Sequence, residues 1–247
     1  RFGGDEFLIL ETSVKKPADV RRLCSRLCTA LADPYEIGPL RLSLPASIGA
    51  VVANQQLEIG SEYVRAADLA LYEAKASGRN CFRFFSDDLD HRLRRRELLE
   101  ADLREALAKE DGVAVHFQPQ MNARGDLIGA EALFRWKHPR MGDIAPSEAV
   151  EIAEESDLIN ILGDFVFRHA AAFAREFPYL LVGINLSPDQ FSRSENLADE
   201  LREKARRERI DPRQLELEIT ETLFMAPGYA PDQQIKALRD HGFRVAL

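Results

Sequence analysis

The sequence predicts an α/β protein in two parts, and three features of the chain carry that prediction. The first third holds two helical stripes of apolar residues with short strand-like runs around them. From residue 112 onward, strand-like and helical segments alternate, which is typical of βαβ units in a parallel sheet or barrel. A highly charged segment separates these parts. We therefore expect a unit over 1–86, a linker helix over 87–111 and a second unit over 112–247.

The first unit is expected to be a mixed α/β structure. Apolar residues recur every three to four positions over 18–32 and over 62–77, so both are predicted amphipathic helices. The run 7–10 is predicted to be a buried strand, whereas 40–44 alternates as a half-buried strand does and is expected to pair with 47–53. A further strand is predicted at 81–85.

The charged segment is predicted to be one helix that connects the two units. Leucines form a helical stripe along it, at positions 89, 93, 99, 103 and 107. An arginine cluster at 92 and 94–96 could alternatively bind nucleic acid or lipid, but the acids that follow cancel its charge. A solvated connecting helix is the favoured interpretation.

The second unit is predicted to consist of alternating strands and helices. Its strands are expected at 113–118, 126–135, 179–186, 214–220 and 243–247. Its helices are expected at 147–156, 161–176, 195–208 and 231–241.

Composition excludes several classes of protein. The 247 residues include 33 Lys and Arg against 41 Asp and Glu, so the net charge is -8, which argues against a general nucleic-acid binder. No run approaches ~18 apolar residues, so no membrane span is expected in this piece. Three cysteines are too few for a disulfide framework and favour a reducing, cytoplasmic location. The chain begins at Arg1 without a Met and ends within an apolar run, so it is expected to be a piece of a longer protein.

Two glycines precede two carboxylates near the start of the chain, at Gly3, Gly4, Asp5 and Glu6. Glycines let a backbone approach a ligand closely, and carboxylates beside them can hold Mg²⁺. Such a turn is also common in simple hairpins.

The string over residues 1–7, Arg-Phe-Gly-Gly-Asp-Glu-Phe, resembles the signature of the GGDEF family of diguanylate cyclases. Further matches follow in family order at Ser47-Ile48-Gly49, at residues 67–75 and at Gly78-Arg79-Asn80. The resemblance implies that Gly3 and Gly4 lie at the nucleotide GTP, that Asp5 binds metal and helps to activate the 3′-hydroxyl, and that Glu6 supports the site. It also implies that Lys75 and Arg79 contact phosphates. The earlier half of that family's site would lie before Arg1, so the first unit would be the C-terminal part of a GGDEF domain.

The spacing of Lys75 and Arg79, at i and i+4, predicts that both lie on the last turn of a helix. They could converge there on one anion. They could equally interact with the helix C-terminus, which favours cations.

Two predicted strands in the second unit carry polar side chains on one face. Glu131, Leu133 and Arg135 alternate along 126–135 and so share a face. Glu131 and Arg135 could form a simple salt bridge, or they could act as a metal ligand and a phosphate ligand. Glu218 lies on the acidic face of the predicted strand 214–220. If helices cover that face of the sheet, its carboxylates require a cation or water as a partner.

Asn185 is expected at the carboxyl end of another strand, the end that carries the active site in βα barrels. The segments that contain Glu131, Asn185 and Glu218 resemble the EAL family of cyclic di-GMP phosphodiesterases, whose fold is a modified TIM barrel. The matching residues are Phe117-Gln118-Pro119, residues 131–136, His138-Pro139, residues 142–146, Asn185-Leu186-Ser187 and residues 218–221.

The EAL resemblance implies a role for each matching site residue. Glu131, Asn185 and Glu218 would bind divalent metals, Mg²⁺ or Mn²⁺, with Glu131 required for catalysis. Arg135 would bind a substrate phosphate, with Gln118 and Leu133 in the substrate pocket. Thr220 would support the site, and Glu221 would support the site or a dimer contact.

The implied reaction is metal-dependent hydrolysis of cyclic di-GMP to linear pGpG. The GGDEF domain would either make cyclic di-GMP from GTP or have a regulatory role. The alternative is a catalytically degenerate module that binds cyclic di-GMP or GTP. Implied partners are these two nucleotides and a second copy of the full-length protein, but no nucleic-acid polymer. The second unit would be the N-terminal part of the EAL barrel. Since further metal ligands and the lysine of the EAL site would lie beyond Leu247, this piece alone is expected to be inactive.

Overall fold

A computed structural model describes residues 1–53, 60–194, 196–219 and 232–246. The chain divides into two compact units, Arg1–Arg95 and Arg96–Leu247. Among the described helices, none combines the length and apolar character that a membrane crossing requires.

The first unit places two helices against a small parallel sheet. Its elements are α1 (Pro17–Ala32), β1 (Tyr35–Ile37), β2 (Leu40–Leu42), β3 (Ile48–Ala50), α2 (Gly60–Ala76) and β4 (Phe82–Phe84). Strands β3 and β4 are parallel, and both helices pack on them. The buried face of α2 consists of small residues, Ala66, Ala70 and Ala74, which allow the helix to approach the strands closely.

Two strand predictions for this unit are wrong. Residues 7–10 form no strand and are exposed, because no described strand runs beside them to pair with their backbone. The segment predicted at 40–44 is exposed and pairs with β1, not with 47–53. A short hairpin with Gly38 at φ +61° brings β1 and β2 together, while the predicted partner forms β3 and pairs with β4.

The division between the units falls within α3 (Asp87–Lys109), the predicted connecting helix. Leu99, Leu103 and Leu107 of α3 are buried in the core of the second unit. Within the arginine cluster, Arg94 pairs with Asp90 in the first unit. Arg96, the first residue of the second unit, pairs with Glu155 of the same unit. These contacts agree with a structural helix rather than a nucleic-acid or lipid surface.

The second unit is built on a mixed sheet in the order β10-β9-β8-β6-β5, with β7 beside β6. Strands β6, β8, β9 and β10 are parallel, whereas β5 and β7 are antiparallel to β6. The strands are β5 (Val113–Met121), β6 (Leu127–His138), β7 (Gly142–Ile144), β8 (Leu181–Leu186), β9 (Leu215–Ile219) and β10 (Arg244–Ala246). The helices are α4 (Pro146–Glu154), α5 (Leu158–Glu176), α6 (Pro188–Arg193), α7 (Leu197–Arg207) and α8 (Asp232–Asp240).

The α/β class and the strand–helix alternation are confirmed. The strands β1 and β7 and the helix α6 were not predicted. Each is at most six residues long. A strand of three residues is too short to show alternation, and a helix of six residues is too short to show an apolar stripe.

The two faces of this sheet differ, and the difference positions the polar residues. Along β6, Ala132, Phe134 and Trp136 are buried in the same core as the apolar face of α5. The residues that alternate with them, at positions 131, 133 and 135, are only partly buried, because successive strand side chains point to opposite faces. We call the face that carries these alternate residues the inner face.

Candidate active site

Neighbouring strands bring two carboxylates and an amide together on the inner face. In the strand register, Glu131 of β6 lies opposite Gly183 of β8, and Asn185 of β8 lies opposite Glu218 of β9. Because β6, β8 and β9 are parallel, these side chains approach one another near the carboxyl ends of the paired stretches. The structure thus brings together three residues that lie up to 87 positions apart, between Glu131 and Glu218.

Asn185 and Glu131 are in direct contact. The Nδ2 group of Asn185 donates a hydrogen bond of 2.7 Å to Oε1 of Glu131. A half-turn of the amide about its Cβ–Cγ bond would replace that donor with the acceptor Oδ1. The pair can therefore present either a donor or a second oxygen ligand beside the Glu131 carboxylate.

Glu218 is held in an environment that disfavours its negative charge. Burial raises its pKa, and the carboxylates of Glu131 and Glu216 raise it further. The nearby Gln120 side chain acts in the opposite direction on this pKa but does not cancel these effects. A cation bound beside Glu218 would stabilise the charged form of its carboxylate.

The donor set fits a divalent cation of the Mg²⁺ or Mn²⁺ type. Two carboxylates and an amide oxygen are hard oxygen ligands, which these ions prefer. Neither Glu131 nor Glu218 forms an ion pair with a described lysine or arginine. No described position gathers three or more His, Cys, Asp or Glu side chains in metal-binding geometry. An ion here would need Asn185 and oxygens from water or substrate to complete its shell, as Mg²⁺ commonly does.

Arg135 and Leu133 lie further along β6, at the edge of a cavity. The guanidinium of Arg135 donates a hydrogen bond of 2.8 Å from Nη1 to the carbonyl of Phe134, and within the described residues it forms no ion pair. The cavity has a volume of about 1320 Å³ and is lined by Leu133, Arg135 and Asn185, but neither Glu131 nor Glu218 lines it. Its other strand residues, among them Ala132, Phe134 and Ile184, belong to the buried face, so the cavity lies mainly on the helix side of the sheet. Residues of α4 to α7 form much of the remaining wall. An arginine with free donors at such an edge can bind an anion.

The remaining residues predicted for the site of the second unit are Gln118, Thr220 and Glu221. Gln118 is exposed and lies opposite Glu131 in the register of β5 and β6, on the inner face. Thr220 and Glu221 lie outside the described residues.

Sequence reasoning missed two residues that contact this group. Gln120 follows Gln118 by two positions on β5, so a period of two would have placed it on the same face. Gly183 gave no signal of its own, since its neighbours Glu131 and Glu218 become known only from the strand pairing.

In the first unit, Gly3 to Glu6 form a tight turn. The amide of Glu6 donates a hydrogen bond of 2.7 Å to the carbonyl of Gly3, and Gly4 adopts φ +51°, a conformation that glycine takes without strain. Asp5 and Glu6 are exposed at this turn. The predicted glycine turn is present, but the strand predicted to follow it is not.

The predicted placement of Lys75 and Arg79 on one helical turn is wrong. Helix α2 ends at Ala76, Gly78 follows at φ +97°, and the amide of Arg79 donates to the carbonyl of Ala74. This is a left-handed helix cap, and Arg79 lies beyond the helix at φ +60°. Both cationic side chains are exposed, and the structure shows no contact between them.

The chain matches two domain families, one after the other. Residues 100–247 match the EAL domain family, and residues 1–81 match the diguanylate cyclase, GGDEF domain family. The chain is 34% identical over 256 residues to MucR of Pseudomonas aeruginosa, a bifunctional diguanylate cyclase/cyclic di-GMP phosphodiesterase. That alignment covers 100% of this chain and 36% of MucR. The chain is 34% identical over 196 residues to PdeR of Escherichia coli, a cyclic di-GMP phosphodiesterase, covering 78% of this chain and 29% of PdeR.

A solved structure shows the same fold. The PaMucR phosphodiesterase in complex with c-di-GMP superposes with a TM-score of 0.56 at 32% identity, covering 60% of this chain and 62% of that one. The chain spans about a third of the length of the curated relatives it matches. The EAL match covers more than half of the residues, and the GGDEF match precedes it in the order that the motifs predicted. This chain therefore belongs to the EAL domain family, with GGDEF domain sequence ahead of it.

Proposed function

We propose that this chain is part of a cyclic di-GMP signalling enzyme whose EAL domain hydrolyses cyclic di-GMP to linear pGpG. The observation that carries the proposal is the meeting of Glu131, Asn185 and Glu218 on the inner face. Arg135 lies four residues beyond Glu131 on the same face of β6. The printed functions of MucR and PdeR support the choice of substrate.

Each residue of this group has a binding role in the proposal. Glu131, Asn185 and Glu218 hold Mg²⁺ or Mn²⁺, with Asn185 turning its amide so that Oδ1 faces the ion. A divalent ion bound there would draw charge from the phosphodiester and lower the pKa of a water molecule. The planar guanidinium of Arg135 binds a non-bridging phosphate oxygen and orients the diester. Leu133 and Gln118 line the position of the nucleotide.

The environment of Glu218 suits this role. Its pKa is raised by burial and by the neighbouring carboxylates of Glu131 and Glu216, so its charged form is unfavourable without a cation. Cation binding offsets the repulsion among these carboxylates. Thr220 and Glu221, which follow the same strand, are proposed to support the site.

The GGDEF portion is proposed to make cyclic di-GMP from GTP or to regulate the EAL domain. In that role Gly3 and Gly4 approach the nucleotide, Asp5 binds metal and helps to activate the 3′-hydroxyl, and Glu6 supports the turn. Lys75, at the end of α2, and Arg79, after it, are proposed to contact phosphates from their exposed positions.

The larger organisation is also a proposal. We assign residues 1–86 to the GGDEF domain, 87–111 to a linker helix and 112–247 to the EAL domain. The full-length protein is proposed to act as a homodimer in the cytoplasm.

The test is hydrolysis of cyclic di-GMP by the purified full-length protein with Mg²⁺ or Mn²⁺. Glu131→Ala should lower the rate by more than about 100-fold, since loss of a ligand should exceed the 10–100-fold cost typical of outer-shell changes. Glu176→Ala, at an exposed glutamate on α5, is the matched control and should leave the rate unchanged. Tight binding without hydrolysis would overturn the enzyme proposal and leave a receptor.

A further inference from the structure

Gly183 lies at the centre of the proposed metal site without contributing a side chain. It is on β8 between Glu131 of β6 and Glu216 of β9 in the strand register, and it is buried. Its φ lies outside the left-handed region, so its backbone conformation does not require glycine. Because glycine within a strand is less stable than alanine, some other property of this position must favour it.

The space above Gly183 is filled by the carboxylate of Glu218. A Cβ added at position 183 would lie 2.5 Å from Oε1 of Glu218 and 3.7 Å from the Cα of Glu131. The first distance is far inside van der Waals contact, and the second is an ordinary contact. Glu218 therefore leans from β9 across the β8 backbone toward β6, and it can do so because position 183 has no side chain.

A second side chain extends over the inner face from the other side. Gln120 of β5 crosses Gly129 of β6, since a Cβ added at Gly129 would lie 3.0 Å from its Oε1. Gln120 comes close enough to Glu218 to act against the rise in that carboxyl pKa, although β6 and β8 lie between their strands. The two side chains thus approach each other over glycines on the two central strands.

We infer that Gly183 is a positioning residue that seats the Glu218 carboxylate beside Glu131. The inference rests on the proposed function, since it assigns the purpose of the seat to binding the divalent ion. Gly183 touches neither substrate nor ion, and acts through Glu218.

Gly183→Ala tests this arrangement with little risk to the fold. The clash would be with the far end of a flexible side chain, which can rotate away, so the substitution displaces the carboxylate rather than the backbone. Val182→Ala is the matched control, because Val182 is fully buried on the opposite face of the same strand.

The measurement is Mn²⁺ affinity of the full-length protein by isothermal titration calorimetry, with the melting temperature measured in parallel. Gly183→Ala should weaken Mn²⁺ binding about 10-fold or more, the range typical of residues that orient metal ligands, without lowering the melting temperature. Val182→Ala should lower the melting temperature and leave Mn²⁺ affinity within about 2-fold, since it removes core volume but no ligand contact.

A double variant separates positioning from general damage. In a Glu218→Ala background no carboxylate remains to be displaced, so adding Gly183→Ala should cause no further loss of Mn²⁺ affinity. Additive losses would overturn the inference, as would unchanged affinity in Gly183→Ala. If the wild-type protein binds Mn²⁺ and hydrolyses cyclic di-GMP while Gly183→Ala does so equally well, only this inference fails. If the wild-type protein binds no Mn²⁺, the proposed function and the inference fail together.

Discussion

Replacing Leu103 with alanine should destabilise the second unit by about 3 kcal/mol or more. Leu103 lies in the second half of α3, and 0% of it is exposed. The substitution removes three carbon groups from the core at about 0.8 kcal/mol each, which gives about 2.4 kcal/mol. The cavity left behind adds to that cost, as it does for other buried leucines.

The assay is thermal unfolding of the purified protein, and Leu98→Ala is the control on the same helix. Leu98 is 37% exposed, so its truncation should cost about 1 kcal/mol or less. For a unit of this size, each kcal/mol corresponds to about 2–4 °C, so Leu103→Ala should lower the melting temperature by about 6–12 °C. Equal effects of the two substitutions would refute the conclusion that this half of α3 belongs to the core of the second unit.

Two further predictions concern a partly buried carboxylate and a close helix–strand contact. Hydrogen bonds from His138 and Arg140 lower the pKa of Asp102, so this contact stabilises the fold above the ordinary carboxyl pKa and is lost as pH falls through the lowered value. Urea unfolding across that acidic range should therefore depend less on pH in Asp102→Asn than in the wild type, and an unchanged dependence would contradict the assignment. Gly49→Ala should prevent folding of the first unit, because its Cβ would overlap backbone atoms of α2, whereas Gly60→Ala meets no atom within 4 Å and should fold. Near-ultraviolet circular dichroism distinguishes the two, and a native spectrum for Gly49→Ala would show that α2 can move aside.

Long periodic segments were predicted well because their pattern is local. The helices over 18–32 and 62–77 and the longer strands of the second unit follow from apolar spacing that each segment carries in itself. The identity of Glu131, Asn185 and Glu218 as candidate ligands came from the motifs and their order along the chain.

Strand pairing was predicted less well because it is decided between distant segments. The apolar run 7–10 has the pattern of a buried strand, yet a strand needs a neighbour for its backbone groups, and none of the described strands provides one. Similarly, 40–44 pairs with the hairpin strand next to it, since a short turn brings β1 within reach at little cost in loop entropy.

The sequence by itself determined the α/β class, the order of the two domains and the residue types of the site, because each depends on local composition or motif. Only the tertiary structure decided which of these residues meet. The parallel register of β6, β8 and β9 places Asn185 against Glu131, and it leaves Gly183 beneath Glu218. A residue whose contribution is the absence of a side chain has no pattern of its own, and its role depends on which neighbours the fold brings to it.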